Sequence, residues 1–280
     1  MSRHGRILLV VLVCLTLAAG SSAALADSLV VLTEVPSYTW YQGCSPTSGG
    51  MLMGYWAEHG YAALLPGVTD PMVQSPAVND DISRIADYMH TVNGSTSGSN
   101  IKPGLIGWTN SVGLSALVSY SSVQSDAFSY TAYRNEIDAG RPMLLNLTTF
   151  VTGKSTLGHT VLAYGYRDNM FELQIRTPTG SQNVTVPGFA VMDTWNNGGG
   201  SGAHAEWEDW NGNPVYSIVE NGVEWWPFLD VSLTSGNDYP DIYDWEIFSG
   251  VSYDLAAVPP TLVLLGSGLL VLLRWRPKMG

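Results

Sequence analysis

The spacing of apolar residues divides the chain into a helical first half and a strand-rich second half. Three stretches repeat apolar residues at a helical period: 79–92, 108–117 and 131–139. Asn79 is placed to cap the first of these helices, and Thr131 is placed to cap the third. Residues 93–103 are rich in Gly, Ser and Asn, which predicts an irregular loop.

The second half consists of short runs of apolar and β-branched residues, which are typical of strands. The predicted strands cover residues 143–150, 160–166, 171–176, 184–186 and 190–193. Helices first and strands afterwards indicate an α+β fold with its sheet in the second half. From residue 196 onward, Gly, Asn, Trp and acidic residues dominate, and we expect loops and short strands that close the domain.

A further helix is predicted over residues 47–58, directly after Cys44. Gly43 and the Ser45-Pro46 pair predict a turn, and proline suits a first helical turn because its missing N–H would have no partner there. Cys44 would then lie at the N-terminus of the helix, where free N–H groups and the macrodipole favour a thiolate. The alternative is that Cys44 is a small buried residue at a turn.

The N-terminal residues 1–26 have the composition of a cleaved export signal. Basic residues come first, residues 7–19 are apolar, and Ala24-Leu-Ala26 is a small-x-small cleavage sequence. The apolar run is short for a membrane span. Cleavage would remove Cys14, so Cys44 would be the only cysteine left and an internal disulfide would be impossible.

The C-terminal residues 256–280 combine a short proline motif, an apolar stretch over 261–273 and a basic end. This layout resembles the PEP-CTERM sorting tail of Gram-negative bacteria, which the membrane protease exosortase recognises and removes. The signature Val-Pro-Glu-Pro of that family is here Val258-Pro259-Pro260, without the Glu. The resemblance implies an exported protein of the cell envelope, cell surface or extracellular matrix, with transient membrane association through the tail. The alternative is an uncleaved C-terminal anchor.

Charge restricts the possible partners of the body, residues 27–254. This part holds all 24 acidic residues and 7 of the 12 basic ones, a formal charge of −17. Phosphate binding needs clustered Lys and Arg, so the strongly negative body argues against a nucleic acid as a partner. The acidic loops at 193–206 and 209–213 do not have the ligand spacing of an EF-hand, and no metal or cofactor is predicted.

A cysteine nucleophile needs a nearby base and a third group that orients this base. His159, in Leu157-Gly-His-Thr-Val161, lies on a predicted strand and is the candidate base. Asp193 stands at the end of the strand 190–193 and is favoured as the orienting group, with Asn196 as the alternative. Taken singly, His159 also fits a buried core histidine, and Asp193 also fits a turn cap.

Three motifs then occur in a recognisable order: Gly43-Cys-Ser-Pro-Thr47, Gly158-His-Thr-Val161 with Tyr164-Gly-Tyr166, and Val191-Met-Asp193. They resemble the C39-like branch of the papain-like cysteine peptidases, over roughly residues 33–230. The resemblance implies a papain-like α+β fold in a domain over 27–255, with a helical N-terminal half packed on a C-terminal antiparallel sheet. It also implies that Cys44 is the nucleophile, His159 the general base and acid, and Asp193 the orienting residue.

Two positions depart from the family pattern. Ser45 follows the nucleophile where Gly is usual, and Tyr38 occupies the usual place of the oxyanion-hole Gln, about six residues before the Cys. Gln42 is the nearest substitute, and the alternative is a hole formed by the Cys44 backbone N–H alone. Loss of one such donor typically costs about 10²–10³ in rate.

These observations favour an exported cysteine hydrolase that cleaves a peptide or isopeptide bond through a thioester intermediate. Its implied partners are a peptide or protein substrate and an exosortase-type sorting protease. The alternative is a non-catalytic cell-surface or biofilm-matrix protein that retains the peptidase fold for binding. The pKa of the thiol separates the two, because only a nucleophile needs an activated Cys44.

Overall fold

The computed structural model describes residues 27–122, 128–148, 158–177, 180–194, 207–208, 214–215, 217–229 and 246–255. The signal-like N-terminus, Asn196 and the C-terminal tail lie outside these residues. Within the described ranges, no helix combines the length and the apolar character needed to cross a membrane.

All the helices described lie in the first half of the chain, together with two strands, and the other strands lie in the second half. The helices are α1 (Cys44–Glu58), α2 (Pro76–Tyr88), α3 (Gly98–Ser111) and α4 (Tyr130–Asp138), with a short 3-10 helix at Ala62–Leu64. The strands are β1 (Leu29–Val31), β2 (Ala116–Ser122), β3 (Met143–Thr148), β4 (Gly158–Thr177), β5 (Gly180–Met192), β6 (Trp207–Glu208), β7 (Pro214–Val215), β8 (Ile218–Glu220), β9 (Val223–Pro227) and β10 (Glu246–Leu255). The predicted α+β class is confirmed.

One antiparallel sheet organises the second half, with the strand order β2-β10-β3-β4-β5-β9-β8. The strand β4 is its centre, because it pairs with β5 along one edge and with β3 and then β1 along the other. The strands β6 and β7 form a separate ribbon. The order places β3 and β4 side by side, and β10 next to β3.

The helix α1 is the central helix of the first half, and residues 45–55 are all buried. Apolar and small residues occur on all of its faces, as expected for a helix surrounded by protein. It packs against α2 and against β3 and β4. Ser48 Oγ donates to the backbone carbonyl of Thr160 at 2.9 Å, which ties the first turn of α1 to the start of β4. The helix therefore brings its first residue, Cys44, next to His159.

The helix boundaries differ from the predicted ones at the capping residues. The hydroxyl of Ser75 accepts a hydrogen bond from a first-turn N–H of α2, so the predicted cap Asn79 lies inside the helix. The same holds at α4, which Ser129 caps in place of Thr131. In both cases the N-cap is a serine that lies before the first residue of the apolar repeat, so the repeat did not indicate it. The helix α1 begins at Cys44 itself, three residues before the predicted start.

Residues 108–111 are helical as predicted, but the predicted boundaries of this helix are wrong. The helix α3 begins inside the predicted loop and ends at Ser111, and β2 occupies part of the predicted helix. Ile101, Leu105 and Trp108 have helical spacing and are buried, so packing of this face outweighs the Gly content and the Pro103 within the helix.

The strand β10 is the longest element that the sequence pattern did not predict. It pairs with β2 along one edge and with β3 along the other, so it lies inside the sheet. Its register shifts between Ile247 and Ser249, which makes Phe248 the extra residue of a β-bulge. These partners lie about 100 or more positions away along the chain, and a local pattern does not report pairings of that kind.

Candidate active site

Three of the residues selected from the sequence meet at the N-terminus of α1. The β4–β5 register pairs Leu162 with Met192, so His159 and Asp193 emerge from neighbouring strand ends on the same side. His159 Nε2 lies 2.9 Å from Asp193 Oδ1, and the imidazole also interacts electrostatically with Cys44. Because Nε2 faces the carboxylate, Nδ1 is the ring nitrogen directed to the thiol.

The site is closed around the imidazole and open at the sulfur. His159 is 2% exposed and Asp193 is 3% exposed, whereas Cys44 is partly exposed. Burial keeps water from the pair of His159 and Asp193 and strengthens the interaction between their charges. The sulfur is therefore accessible, while the imidazole is held in a fixed orientation.

Burial by itself would raise the pKa of the Cys44 thiol, but other groups outweigh it. The hydrogen bond and charge of His159, the backbone N–H of Thr160 and the Ser45 hydroxyl together lower that pKa below its ordinary value. Burial also opposes a charge on His159, yet its hydrogen bonds to Asp193 and Cys44 raise its pKa to about 9. Both shifts act in the same direction, because each favours the thiolate–imidazolium pair over the neutral thiol and imidazole.

Gly43 is required immediately before Cys44. Its φ is +140°, and a Cβ atom there would lie 2.7 Å from the carbonyl oxygen of Gly94. Both facts exclude a side chain, since the backbone conformation and the space each demand glycine. This close contact brings the loop around Gly94 to the N-terminus of α1.

The segment before Cys44 is held by two sets of hydrogen bonds. Thr47 Oγ1 accepts from the N–H of Tyr41 at 2.9 Å, which fixes the chain as it enters α1. The N–H of Trp40 donates to the carbonyl of Thr194 at 2.6 Å. Because Thr194 follows Asp193, this second bond connects the segment before Cys44 to the backbone beside Asp193.

The remaining predicted site residues lie elsewhere. Gln42 Nε2 donates to Ser83 Oγ on α2 at 3.4 Å, and Gln42 is not among the described residues that line the cleft at Cys44. Tyr38 is fully buried, and its hydroxyl donates to the carbonyl of Pro71. The structure therefore brings neither side chain to the cleft. Asn196, the alternative orienting residue, lies outside the described residues.

A cleft of about 420 Å³ opens at the thiol. Its described walls come from α1, α3, β3, β4, β10 and the loop before α3, and only Cys44 and His159 among them are ionisable. The cleft thus offers neutral polar and apolar groups to a substrate, although the body is strongly acidic. Within the described ranges, no group of three or more His, Cys, Asp or Glu side chains is arranged to hold a metal ion.

A larger hollow of about 640 Å³ lies beside α2 and α3, where Tyr88 and Trp108 contribute to its wall. It shares no lining residue with the cleft at Cys44. The ionisable side chains in its wall are Arg84, Asp87 and Tyr88, all exposed near the C-terminal end of α2, and none of the predicted site residues lines it. The chemistry of the site therefore belongs to the smaller cleft.

Sequence analysis did not select the neutral polar residues beside Cys44. Thr160 and Asn146 line the cleft and are both buried. Asn146 interrupts the apolar strand Met143–Thr148. A single amide in such a run could have indicated a buried hydrogen-bonded group beside the site, since buried polar groups need partners. Ser249 had no such signal, because its strand was not predicted.

Comparison with known proteins identifies the family. The chain matches the model of the Peptidase_C39 like family over residues 32–203, which is more than half of its length. No curated protein matches it at a significant level. Among solved structures, it is similar to the active wild-type interpain A cysteine protease of Prevotella intermedia, with 10% sequence identity and a TM-score of 0.43, over 80% of this chain and 94% of that one. By the family match, this chain belongs to the Peptidase_C39 like family and is a cysteine peptidase in its fold.

Proposed function

We propose that this protein is an exported cysteine hydrolase that cleaves a peptide or isopeptide bond. Cys44 is the nucleophile, His159 the general base and acid, and Asp193 the residue that orients His159. The observation that carries this proposal is the position of the His159 ring, between Cys44 on one side and Asp193 at 2.9 Å on the other. The family supports a peptide or protein as the substrate.

The reaction begins with the thiol proton on His159. The Cys44 thiolate attacks the carbonyl carbon, an S–C bond forms, and the carbonyl electron pair moves to its oxygen. The backbone N–H of Cys44 heads α1 and has no partner within the helix, so it is the donor for this oxyanion. Since Gln42 bonds to Ser83, this N–H acts without the glutamine that is usual in the family.

His159 then gives its proton to the leaving nitrogen, the C–N bond breaks, and the amine departs from the thioester. A water molecule next gives a proton to His159 while its oxygen attacks the thioester carbonyl. The S–C bond breaks, the acid product leaves, and the thiolate–imidazolium pair is restored. Asp193 keeps Nε2 occupied throughout, so Nδ1 remains directed at the reacting atoms.

Labelling with an acyloxymethyl ketone probe, which alkylates activated cysteines, tests this function. We expect one probe per chain, attached at Cys44, and none on Cys44→Ala, because the body has no other cysteine. Labelling should exceed that of protein unfolded in urea at the same pH, in which His159 no longer lies beside the thiol. Wild-type protein that labels no faster than the unfolded chain would contradict the proposal and favour a non-catalytic binding protein of the cell surface or matrix.

Export is the second part of the proposal. The signal-like residues 1–26 and the tail at 256–280 support it by their sequence, with a peptidase domain over 27–255 between them. An exosortase-type protease would act on the tail after its apolar stretch has entered the membrane. The mature protein would then reach the surface or extracellular matrix of a Gram-negative bacterium.

Protein recovered from the cell surface should lack the residues beyond about 257. The apolar stretch at 261–273 and the basic end after it are the basis of this prediction. Intact-mass spectrometry measures the C-terminus directly, and replacing Arg274, Arg276 and Lys278 by Gln gives a matched control that should keep its tail. Secreted wild-type protein that still carries residues 261–280 would instead indicate an uncleaved anchor.

A further inference from the structure

A row of neutral polar side chains crosses the sheet and ends at the nucleophile. In the strand register, Ser249 on β10 is paired with Asn146 on β3, and Asn146 is paired with Thr160 on β4. Asn146 bonds to the Ser249 hydroxyl and to the Thr160 hydroxyl, each at 2.9 Å. The Thr160 hydroxyl lies 2.8 Å from that of Ser45, the residue that directly follows Cys44.

All four residues of this polar row are buried. Ser249 is fully covered, Asn146 is 2% exposed, Ser45 is 3% exposed and Thr160 is 4% exposed. A sheet interior would normally use apolar residues here, because buried polar groups stabilise a fold only when they are fully bonded. Four such groups in one line that leads to a reactive sulfur require an explanation.

The bulge in β10 gives the row its last member. Ile247 pairs with Leu147, and a regular strand would then place Phe248 opposite Asn146. The extra residue moves Phe248 out of register and brings Ser249 to Asn146 in its place. The bulge thus interrupts the β3–β10 pairing and places the hydroxyl of Ser249, and not the ring of Phe248, opposite Asn146.

The hydrogen bonds of the row can point in either of two directions, because each hydroxyl has a single proton to donate. With Asn146 Oδ1 facing Thr160, the Thr160 hydroxyl donates to the amide and Ser45 donates to Thr160, so no proton is left for Cys44. With the amide turned over, its NH₂ donates to Thr160, Thr160 donates to Ser45, and Ser45 donates to the sulfur. Ser249 then donates to Oδ1, and every group is again satisfied. The two ends of an amide are similar in size, so both directions fit the same space.

We propose that this polar row is a switchable hydrogen-bond chain whose donors turn toward Cys44 when its proton passes to His159, so that the Ser45 hydroxyl stabilises the thiolate. The inference rests on the proposed function, because it concerns the same thiolate. It also accounts for Ser45 at a position where the family usually has Gly, since glycine has no hydroxyl to donate. Thr160, Asn146 and Ser249 act through Ser45 and are positioning residues.

Few other groups compete for this role. The ionisable side chain that faces Cys44 from β4 is His159, with Asp193 behind it after β5, and the described residues of α3, β3 and β10 in the cleft are neutral. The backbone N–H of Thr160 is the other neutral donor to the sulfur. The row is therefore the side-chain source of neutral donors in the described part of the site.

Replacing Thr160 tests the row with matched variants. Thr160→Val keeps the shape and removes the hydroxyl, Thr160→Ser keeps the hydroxyl, and Thr109→Val removes a buried hydroxyl that bonds to Tyr253 at 2.9 Å, away from the cleft. The readout is the rate of Cys44 alkylation by iodoacetamide as a function of pH. We expect Thr160→Val to raise the apparent pKa of the thiol by about one unit. At pH values below that pKa, this change leaves about tenfold less thiolate. Thr160→Ser and Thr109→Val should follow the wild-type profile.

The outcomes separate the row from the proposed function. A lowered thiol pKa in wild type that Thr160→Val leaves unchanged would overturn the row and leave the triad intact. A wild-type thiol that titrates like free cysteine, near a pKa of about 8.5, would overturn the proposed function itself. If Thr160→Val does not fold, Ser249→Ala interrupts the row at its far end, and an unshifted profile in that variant would overturn the inference.

Discussion

Replacing His159 with Ala is expected to return Cys44 to a thiol that ionises at or above the range of free cysteine, a pKa of about 8.5. Burial raises the pKa of this thiol, and the hydrogen bond and charge of His159 are the main influences that oppose burial. Without the imidazole, both the thiolate and the proton for the leaving group are lost. Turnover should therefore fall by about 10²–10⁴ or more.

The turnover of the wild-type protein should depend on pH through both residues of this pair. The reactive pair needs a deprotonated Cys44, whose pKa is lowered, and a protonated His159, whose pKa is raised to about 9. Turnover should rise with pH through the lower value and fall again as the pH passes about 9. Alkylation of the sulfur needs only the thiolate, so it should keep its rate above pH 9.

Alkylation and turnover measured from pH 4 to 10 would check both limbs. His59→Ala is the matched control, because His59 is an exposed histidine at the other end of α1. That variant should keep the wild-type profile. An unshifted alkylation profile in His159→Ala would show that another group activates Cys44.

Replacing Asp193 with Ala should have the second largest effect, a loss of about 10²–10⁴ in turnover. Asp193 Oδ1 holds His159 Nε2 at 2.9 Å, and this hydrogen bond helps to raise the pKa of His159. Without it, the imidazole loses its fixed orientation, its pKa falls and the pKa of the thiol rises. The rise of the alkylation rate with pH should therefore occur at a higher pH than in the wild-type protein.

Asn196→Ala is the comparison for Asp193→Ala, since an amide in the orienting role would fix the tautomer without adding charge. We expect it to leave turnover and the thiol profile nearly unchanged. Parallel measurements on the two variants decide the assignment. Equal losses would mean that both residues orient His159, and a loss confined to Asn196→Ala would assign the role to the amide.

Local signals were sufficient for the elements that carry the site. Gly43 and the Ser45-Pro46 pair predicted that a helix begins near Cys44, and α1 begins at that residue. Apolar runs around His159 and before Asp193 predicted strands, which are parts of β4 and β5. These signals succeed because turn chemistry and side-chain alternation act between residues a few positions apart.

Local signals failed where distant partners decide the structure. The Gly and Pro content of residues 98–103 indicated a loop, but the buried face of α3 outweighs that preference. The strand β10 lies between β2 and β3, and its apolar residues become core residues only through that pairing. Helix propensity and strand pattern are weak preferences that tertiary packing overrides.

The sequence by itself determined the α+β class, the family and the order in which Cys44, His159 and Asp193 occur. These depend on residue types and on spacings within short motifs. Only the tertiary structure decided that Asp193 lies against His159, that Gln42 turns to α2, and that Asn146 meets Ser249 from 103 positions away. Each of these contacts depends on strand register and helix packing, which form when distant segments bury their apolar faces together.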